Sequence, residues 1–585
     1  MYYPTLQELS TSRQMVDVFR GYNHNLRIAD GEFYDMKNMT SDYYPVLSPR
    51  AKRGIYASPA SPQGLIAKDS LCYIDGSEFV MNEYRVDMGL STKEEDCPKT
   101  LISMGAYVII MPDRMYINTL NLEDFGNIDA IFNTTGDVTF TLCTIDGSAY
   151  SNAVVSASEP SEPQNLDLWI DTSSTPHTLK QYSATSAMWV SIATTYIKIS
   201  SPGIGKLFAQ YDGVTISGIV PETLQELNNT MVIWACEDDY IVVVGILDAV
   251  TTQTAAEGAI TIARQMPNMD FITESENRLW GCRYGTALNG DVVNEIYACK
   301  LGDFKNWNCF MGLSTDSYAA SCGTDGQFTG AVTHLGYPLF FKEGCLHKVY
   351  GNFPANYQIQ TTACRGVEKG SEKSLAIVNE ILYYKARHAV CAYDGSLPTE
   401  VSAAFGELRY GSAVAGAHGN KYYISMADAA GTYHLFVYDT VKGMWHKEDA
   451  IHADALCSCR EELYCIDHDT KQIITMLGSG TVSEEQVEWM VETGAMYLTY
   501  PDMKYISRMV VRLSLAAGTT VKFYAQYDLS DEWVELCTMK STTLRSFFVP
   551  IRPRRCDYMK LRIEGLGMGK VYSITKTIEQ GSDIS

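Results

Sequence analysis

The sequence predicts an all-β chain, and three observations predict it. The first is composition: 38 Tyr, 19 Phe and 8 Trp stand in 585 residues, with an apolar fraction of 46%. Aromatic and β-branched side chains suit a pleated, half-buried surface, and a chain this apolar has enough to bury that disorder is not expected over most of its length. The second is punctuation. Short apolar runs are separated by two-residue turn signals such as Asp75-Gly76, Asn379-Glu380 and Gly419-Asn420, the signature of hairpins. The third is repetition. A buried strand, a tight turn, an aromatic strand, a second turn and a strand ending in Tyr-Asp or Ile-Asp recur, and Asp394 to Asp439 is a step of 45 residues, the size of a four-stranded propeller blade. Asp439 to Asp467 is a step of only 28, so the repeat is irregular. Together these predict a multi-bladed β-propeller with an inserted β domain and a C-terminal β-sandwich of jelly-roll type.

A chain of 585 residues is too long for one core and divides into several domains. Residues 1–54 read as an extended arm or collar. Within it, residues 31–39 suggest a single helical turn with Asp30 as N-cap. Pro45 and Pro49 keep their neighbours extended, leading to a basic corner at Arg50, Lys52 and Arg53. Residues 55–125 give two strand pairs with turns at Asp75-Gly76 and Pro112-Asp113 and form the first part of the propeller. Residues 126–262 change texture to Thr, Ser and Ala. They contain a Pro/Ser/Glu linker at residues 156–165 and read as a small β-sandwich or two β modules, with a helical turn or loop near Leu224. Blade texture returns over residues 263–480, with turns at Glu276-Asn277, Gly336-Tyr337, Glu343-Gly344, Asn379-Glu380 and Gly419-Asn420. With the two early units this makes six to eight blades, the N-terminal strands pairing with the last one to remove sheet edges. Residues 481–585 alternate cleanly and form the C-terminal β-sandwich, a module that binds proteins or sugars.

Charge narrows the partners. The net charge of −23 excludes a large basic face of the kind that grips DNA through its phosphates. Two local basic corners remain: Arg50, Lys52 and Arg53, and Arg552, Arg554 and Arg555. They are candidate DNA or subunit contacts, or simply solvated corners. The opening residues have neither a basic nor an apolar signal region, and the most apolar run, residues 240–247, is far too short to span a bilayer. The chain is therefore expected to be made in the cytoplasm, with no membrane segment, and its sixteen cysteines read as small core residues rather than disulfides. Cys457-Ser458-Cys459 puts two thiols on one strand face, but no further ligands follow at zinc spacing.

No chemistry-bearing motif stands out. A Walker loop, a G-x-G-x-x-G and an H-E-x-x-H are all absent from the sequence. His434 and His446 are the closest strand-borne histidine pair and read as ordinary strand residues. Glu237-Asp238-Asp239 reads as a solvated turn, since calcium-loop spacing is missing. Asp439, beside Gly443 and Trp445, reads as a structural blade turn in which the carboxylate accepts backbone N–H groups. A glycosidase carboxylate pair stays open, because its members can lie far apart in sequence. The expectation is no catalytic residue, no cofactor and no metal, and a chain that is not an enzyme.

Residues 20–54 carry Gly21 with Asn23, Gly31 with Glu32, Asn38, and Leu47 with Arg50. In that order they resemble the start of the nozzle, or packaged-DNA stabilisation, proteins of short-tailed bacteriophages. In those proteins an opening Gly-x-Asn, a Gly-Glu, an Asn and a Leu-x-x-Arg-x-Gly-like corner precede a β-propeller. The resemblance implies a virion tail protein that self-associates into a sixfold ring below the portal and adaptor. It would meet other tail proteins and touch viral double-stranded DNA transiently and without sequence preference. An acidic wall would keep the duplex from sticking, since like charges repel. The alternative class is a carbohydrate-binding or sialidase-type glycoside-hydrolase propeller. Against it, the sequence shows no arginine cluster at the blade turns of the kind that would converge on a sugar carboxylate.

Overall fold

Strand dominates the regular structure because the sequence supplies short aromatic and β-branched runs cut by turn residues, which leaves no stretch for a long helix. A computed structural model describes residues 11–150, 152–287, 290–478, 482–496, 504–528, 530–540 and 542–580. Residues 1–10 of the expected arm, 479–480 of the expected propeller, and 481, 497–503 and 581–585 of the expected C-terminal module lie outside the described residues. Six short 3-10 turns are the only helical segments among the described residues, and no helix there is long and apolar enough to cross a membrane.

The fold is all-β, of the propeller type with an inserted β domain and a C-terminal sandwich. Six small four-stranded sheets of blade type, and a further set of four strands that is part of a larger sheet, succeed one another along the described chain. They begin at Pro62–Ala67, Thr100–Met104, Phe271–Ser275, Phe328–His334, Ala376–Val378, Gly411–His418 and Ala453–Cys459. Paired left-handed residues close several hairpins: Glu276 and Asn277 have φ of 51° and 58°, Asn379 and Glu380 of 49° and 66°. That is the geometry of a two-residue turn whose twist matches the strands it joins. The turn expected at Gly336-Tyr337 lies one residue earlier, at Leu335-Gly336. The last blade contains only three strands of its own, and Gly54–Ala57 pairs with Ile473–Thr475 to complete it. The expected pairing of an N-terminal strand with the final blade is thus present.

By internal contacts the chain forms two units. One comprises residues 1–101, 340–346 and 361–585, the other residues 102–339 and 347–360. In the second unit the inserted strands form a four-stranded sheet through Ala130–Asn133, Thr261–Arg264, Gly213–Ser217 and Thr230–Val232, and a five-stranded sheet centred on Tyr196–Ser200. Phe140, Ile197, Ile199, Ile216, Ile241 and Ile262 fill one core between them. A third sheet, from Val154–Ser156 to Met188–Ser191, has its own small core of Leu168, Ile170 and Leu179.

In the first unit the C-terminal sandwich is not made of C-terminal residues alone. One sheet runs Thr11–Val16, Gly569–Gln580, Lys504–Leu515, Arg545–Val549. The other joins the blade that starts at Gly411–His418, through Gly21–Tyr22 and Glu32–Lys37, to Glu488–Thr493 and the remaining sandwich strands, ten strands in all. Phe19, Tyr22, Phe33, Met36, Trp445, Trp489, Val511 and Phe523 share a single core. The N-terminal residues are therefore woven through the unit rather than forming a free arm. The helical turn expected in residues 31–39 is replaced by the strand Glu32–Lys37. A bulge between Phe33 and Asp35 shifts its register against Glu488–Thr493. One extra residue there lets Phe33 and Met36, spaced three apart as on a helix, both enter the core.

Candidate functional site

The basic corner of the N-terminal segment leads to the most polar feature of the first unit. Met39–Thr40 pairs with Ser48–Pro49, so residues 41–47 form a loop and Arg50 starts inward. Asn38, left-handed at φ 57°, accepts from Arg50 Nε at 2.8 Å and donates to the Glu488 carbonyl at 2.7 Å. The Arg50 guanidinium then grips Glu484 with both terminal nitrogens, at 2.8 and 3.1 Å. Arg53 meets Glu448 at 2.5 Å and also binds Asp449. Arg50 and Arg53 are 5% and 7% exposed.

This corrects the expectation for the first basic corner. Arg50 and Arg53 are not available to DNA or to another subunit, because three carboxylates of the same chain already neutralise them. Burying an arginine without such partners costs several kcal/mol. Lys52 is half-buried and donates to the Glu485 carbonyl. Arg552, Arg554 and Arg555, by contrast, are exposed; Arg554 lies over the Tyr527 ring at 5.4 Å. The second corner keeps its charge at the surface.

Beside Arg50 opens a cleft of about 400 Å³ lined by Thr40, Asp42, His418, Lys421, Asp439, Lys442 and Glu448. Asp42 pairs with Lys421 at 2.5 Å, and Lys421 also donates to Thr40 at 2.9 Å. Asp439 accepts from Ser41 Oγ at 2.6 Å, from the Lys442 backbone N–H at 3.0 Å, and faces Lys442 Nζ at 3.1 Å. Burial works against ionising both aspartates, but Lys421 for Asp42, and the Ser41 and Lys442 donors for Asp439, outweigh it and hold both below the usual carboxylate range. Glu448 goes the other way. Burial raises its proton affinity, and the pull of Arg53 and Arg50 does not fully offset this. One cleft thus carries carboxyl groups whose proton affinities are driven in opposite directions. Its lysines, Lys421 and Lys442, are paired with Asp42 and Asp439.

The other residues singled out in the sequence have structural surroundings. Trp445 is buried and its indole donates to the Val401 carbonyl at 2.7 Å, so the Asp439 turn is a blade turn that also lends its carboxylate to the cleft. His434 contacts Asp428 at 3.0 Å. His446 is buried, and burial, assisted by Lys421, lowers its pKa to about 3. In the acidic turn, Asp239 accepts the Gly203 N–H at 2.7 Å. All sixteen cysteines are free. Burial pushes the Cys457 thiol up to about 12, a poor metal ligand or nucleophile. The cleft escaped sequence reading because Asp42, on the loop of residues 41–47, stands 379 positions from Lys421, and no local spacing marks its meeting with Lys421, Asp439 and Glu448.

No protein-family model and no curated protein matches the sequence. Solved structures with some likeness include an exo-β-1,3-galactanase from Phanerochaete chrysosporium with galactose (8% identity, TM-score 0.22, 52% of this chain and 94% of that one). Another is the Pyrococcus horikoshii acylaminoacyl peptidase (9%, 0.23, 54% and 55%). A third is the Trypanosoma rangeli sialidase in complex with sialic acid (8%, 0.20, 97% and 96%). Identities this low speak to the β-rich architecture alone. They do correct one expectation. Enzymes occur among the structures this chain resembles, so the reading of the chain as a non-enzyme does not stand.

Proposed function

We propose that the chain is a structural protein of a tailed-bacteriophage virion, a subunit of the ring-shaped tail nozzle or hub that retains packaged DNA and passes it during ejection. One observation carries the reading: the N-terminal residues that resemble that family are tied to one another and to the core. Asn23 Nδ2 donates to Glu32 at 2.9 Å, and Arg50 Nε to Asn38 at 2.8 Å. Gly21 and Gly31 take left-handed backbone at φ 83° and 94°, and Leu47 is buried and bridges to Val571. Residues of the pattern that stand apart in the sequence meet in the fold, which supports the reading.

In this role the acidic surplus of the chain repels phosphates and keeps the duplex sliding. Arg552 and Arg554, exposed at the surface, are candidate contacts for neighbouring subunits or for DNA. Portal, adaptor and other tail proteins are the partners, and the site of action is the virion tail. Negative-stain imaging or sedimentation of the purified chain is expected to give a ring, sixfold by the resemblance. Its central hole should be about 20 Å or more across, wide enough for B-DNA. A stable monomer under all conditions would sink the proposal.

A second reading is favoured by the cleft: a sialidase-like or other carbohydrate-binding propeller in which Asp42, Asp439 and Glu448 meet a sugar. A thermal shift with a glycan panel tests it. Binding or turnover that disappears in Glu448→Gln supports this reading, and silence across the panel removes it.

A further inference from the structure

We infer that His452, Asp454 and His468 form a binding site for one divalent transition-metal ion of the zinc class. Their ligand atoms, two imidazole nitrogens and a carboxylate oxygen, all lie within 4.8 Å of one another. The backbone holds them there. Ala453 pairs with Asp467 across the last blade, and the His468 N–H donates to the His452 carbonyl at 2.8 Å. Tertiary packing holds the rings. Tyr433 stacks on His452 with centroids 3.6 Å apart and planes 13° apart, and His452 stacks on His468 at 4.1 Å. His452, stacked against Tyr433 on one face and His468 on the other, is restricted before it coordinates, whereas exposed His468 must tilt out of the stack so that the in-plane lone pairs of both rings converge on one ion.

Donor chemistry selects the ion. Two imidazoles and one carboxylate suit zinc, nickel or copper, whereas calcium and magnesium want an all-oxygen shell. Three protein ligands leave a fourth position to water, as in open zinc sites. Zinc–nitrogen bonds of about 2.0–2.1 Å in a tetrahedron place ligand atoms roughly 3.4 Å apart, so atoms now up to 4.8 Å apart must close by as much as about 1.4 Å. His468 is exposed and can supply that movement. Without an ion, His468 Nδ1 and Asp454 Oδ1 face each other at 2.8 Å, and Lys471 Nζ lies 3.7 Å from Asp454 Oδ2 and 3.5 Å from His468 Nδ1. In the metal-free chain Lys471 balances the carboxylate, and an incoming ion displaces it.

The test is titration of the full-length chain with zinc chloride by calorimetry, paired with absorption of the cobalt-loaded chain. The expected result is one saturable ion per chain at micromolar zinc. The cobalt spectrum should lack a thiolate-to-metal charge-transfer band, which excludes the cysteines. His468→Ala and Asp454→Asn, chosen because neither side chain belongs to the core, are expected to weaken binding by at least the ~10–100-fold that even an outer-shell partner is worth. Lys471→Ala is expected to tighten it. No saturable uptake by the wild type would overturn the inference, as would unchanged affinity in both ligand variants or a thiolate band in the cobalt spectrum.

Discussion

Arg53 shows how far a residue's role can depart from its local sequence. In a string of basic residues it reads as surface charge, yet Glu448 and Asp449 hold it inside the fold. Arg53→Met leaves buried Glu448 and half-buried Asp449 short of a cation and is expected to cost about 3–5 kcal/mol in urea unfolding. Arg554→Ala, exposed and facing only a ring, should stay within about 0.5 kcal/mol of wild type. Two buried groups give opposite pH responses. Burial lowers the His446 pKa from 6.5 to about 3, so below about pH 6.5 the unfolded chain takes up a proton that the folded chain refuses. Stability then falls with acidification towards pH 3, by about 1.4 kcal/mol per pH unit at most. His446→Gln should flatten that slope in denaturation curves recorded across this range. Glu448, raised above its ordinary 4.5 by burial, binds its proton more tightly when folded. Its contribution is full below about pH 4.5 and is lost as pH rises through its folded value, so Glu448→Gln should remove a loss on the alkaline side.

Elements depend on a few backbone positions that favour glycine, some for the left-handed backbone alone and some for close contact as well. At Gly21, φ is 83° and an added Cβ would sit 2.3 Å from the Trp445 carbonyl oxygen; at Gly76, φ is 63° and nothing lies within 4 Å. Both substitutions by alanine strain the backbone, by about 1–2 kcal/mol. Gly21→Ala must also push apart the strand pair Tyr22–Trp445. It is expected to destabilise by at least about 2 kcal/mol more than Gly76→Ala in the same urea titration; equal losses would mean that the contact relaxes at little cost. The hairpins were readable beforehand because two-residue turns are local chemistry, as at Glu276-Asn277 and Asn379-Glu380. The strand Glu32–Lys37 was not. Its bulge exists only against Glu488–Thr493, and a bulge imitates the apolar spacing of a helix.

At the scale of the whole molecule, charge controls association. A chain at −23 repels its own copies, and salt screens that repulsion over about 10 Å at 0.1 M. The proposed ring should therefore gain population as sodium chloride rises, read as a larger sedimentation coefficient. A fall with salt would mean that cation–carboxylate pairs between copies dominate the interface instead.

What the sequence determined by itself is what depends on near neighbours: strand character from aromatic and β-branched runs, hairpins from paired turn residues, blade spacing from the recurring Tyr-Asp ends. Tertiary structure alone decided which distant residues meet. It placed the N-terminal strands inside the C-terminal sandwich, buried Arg50 and Arg53 against acids some 400 positions away, and gathered Asp42, Asp439 and Glu448 around one cleft. The reason is physical. Backbone preference is set within a few residues, whereas burial and charge pairing depend on what the completed fold brings alongside.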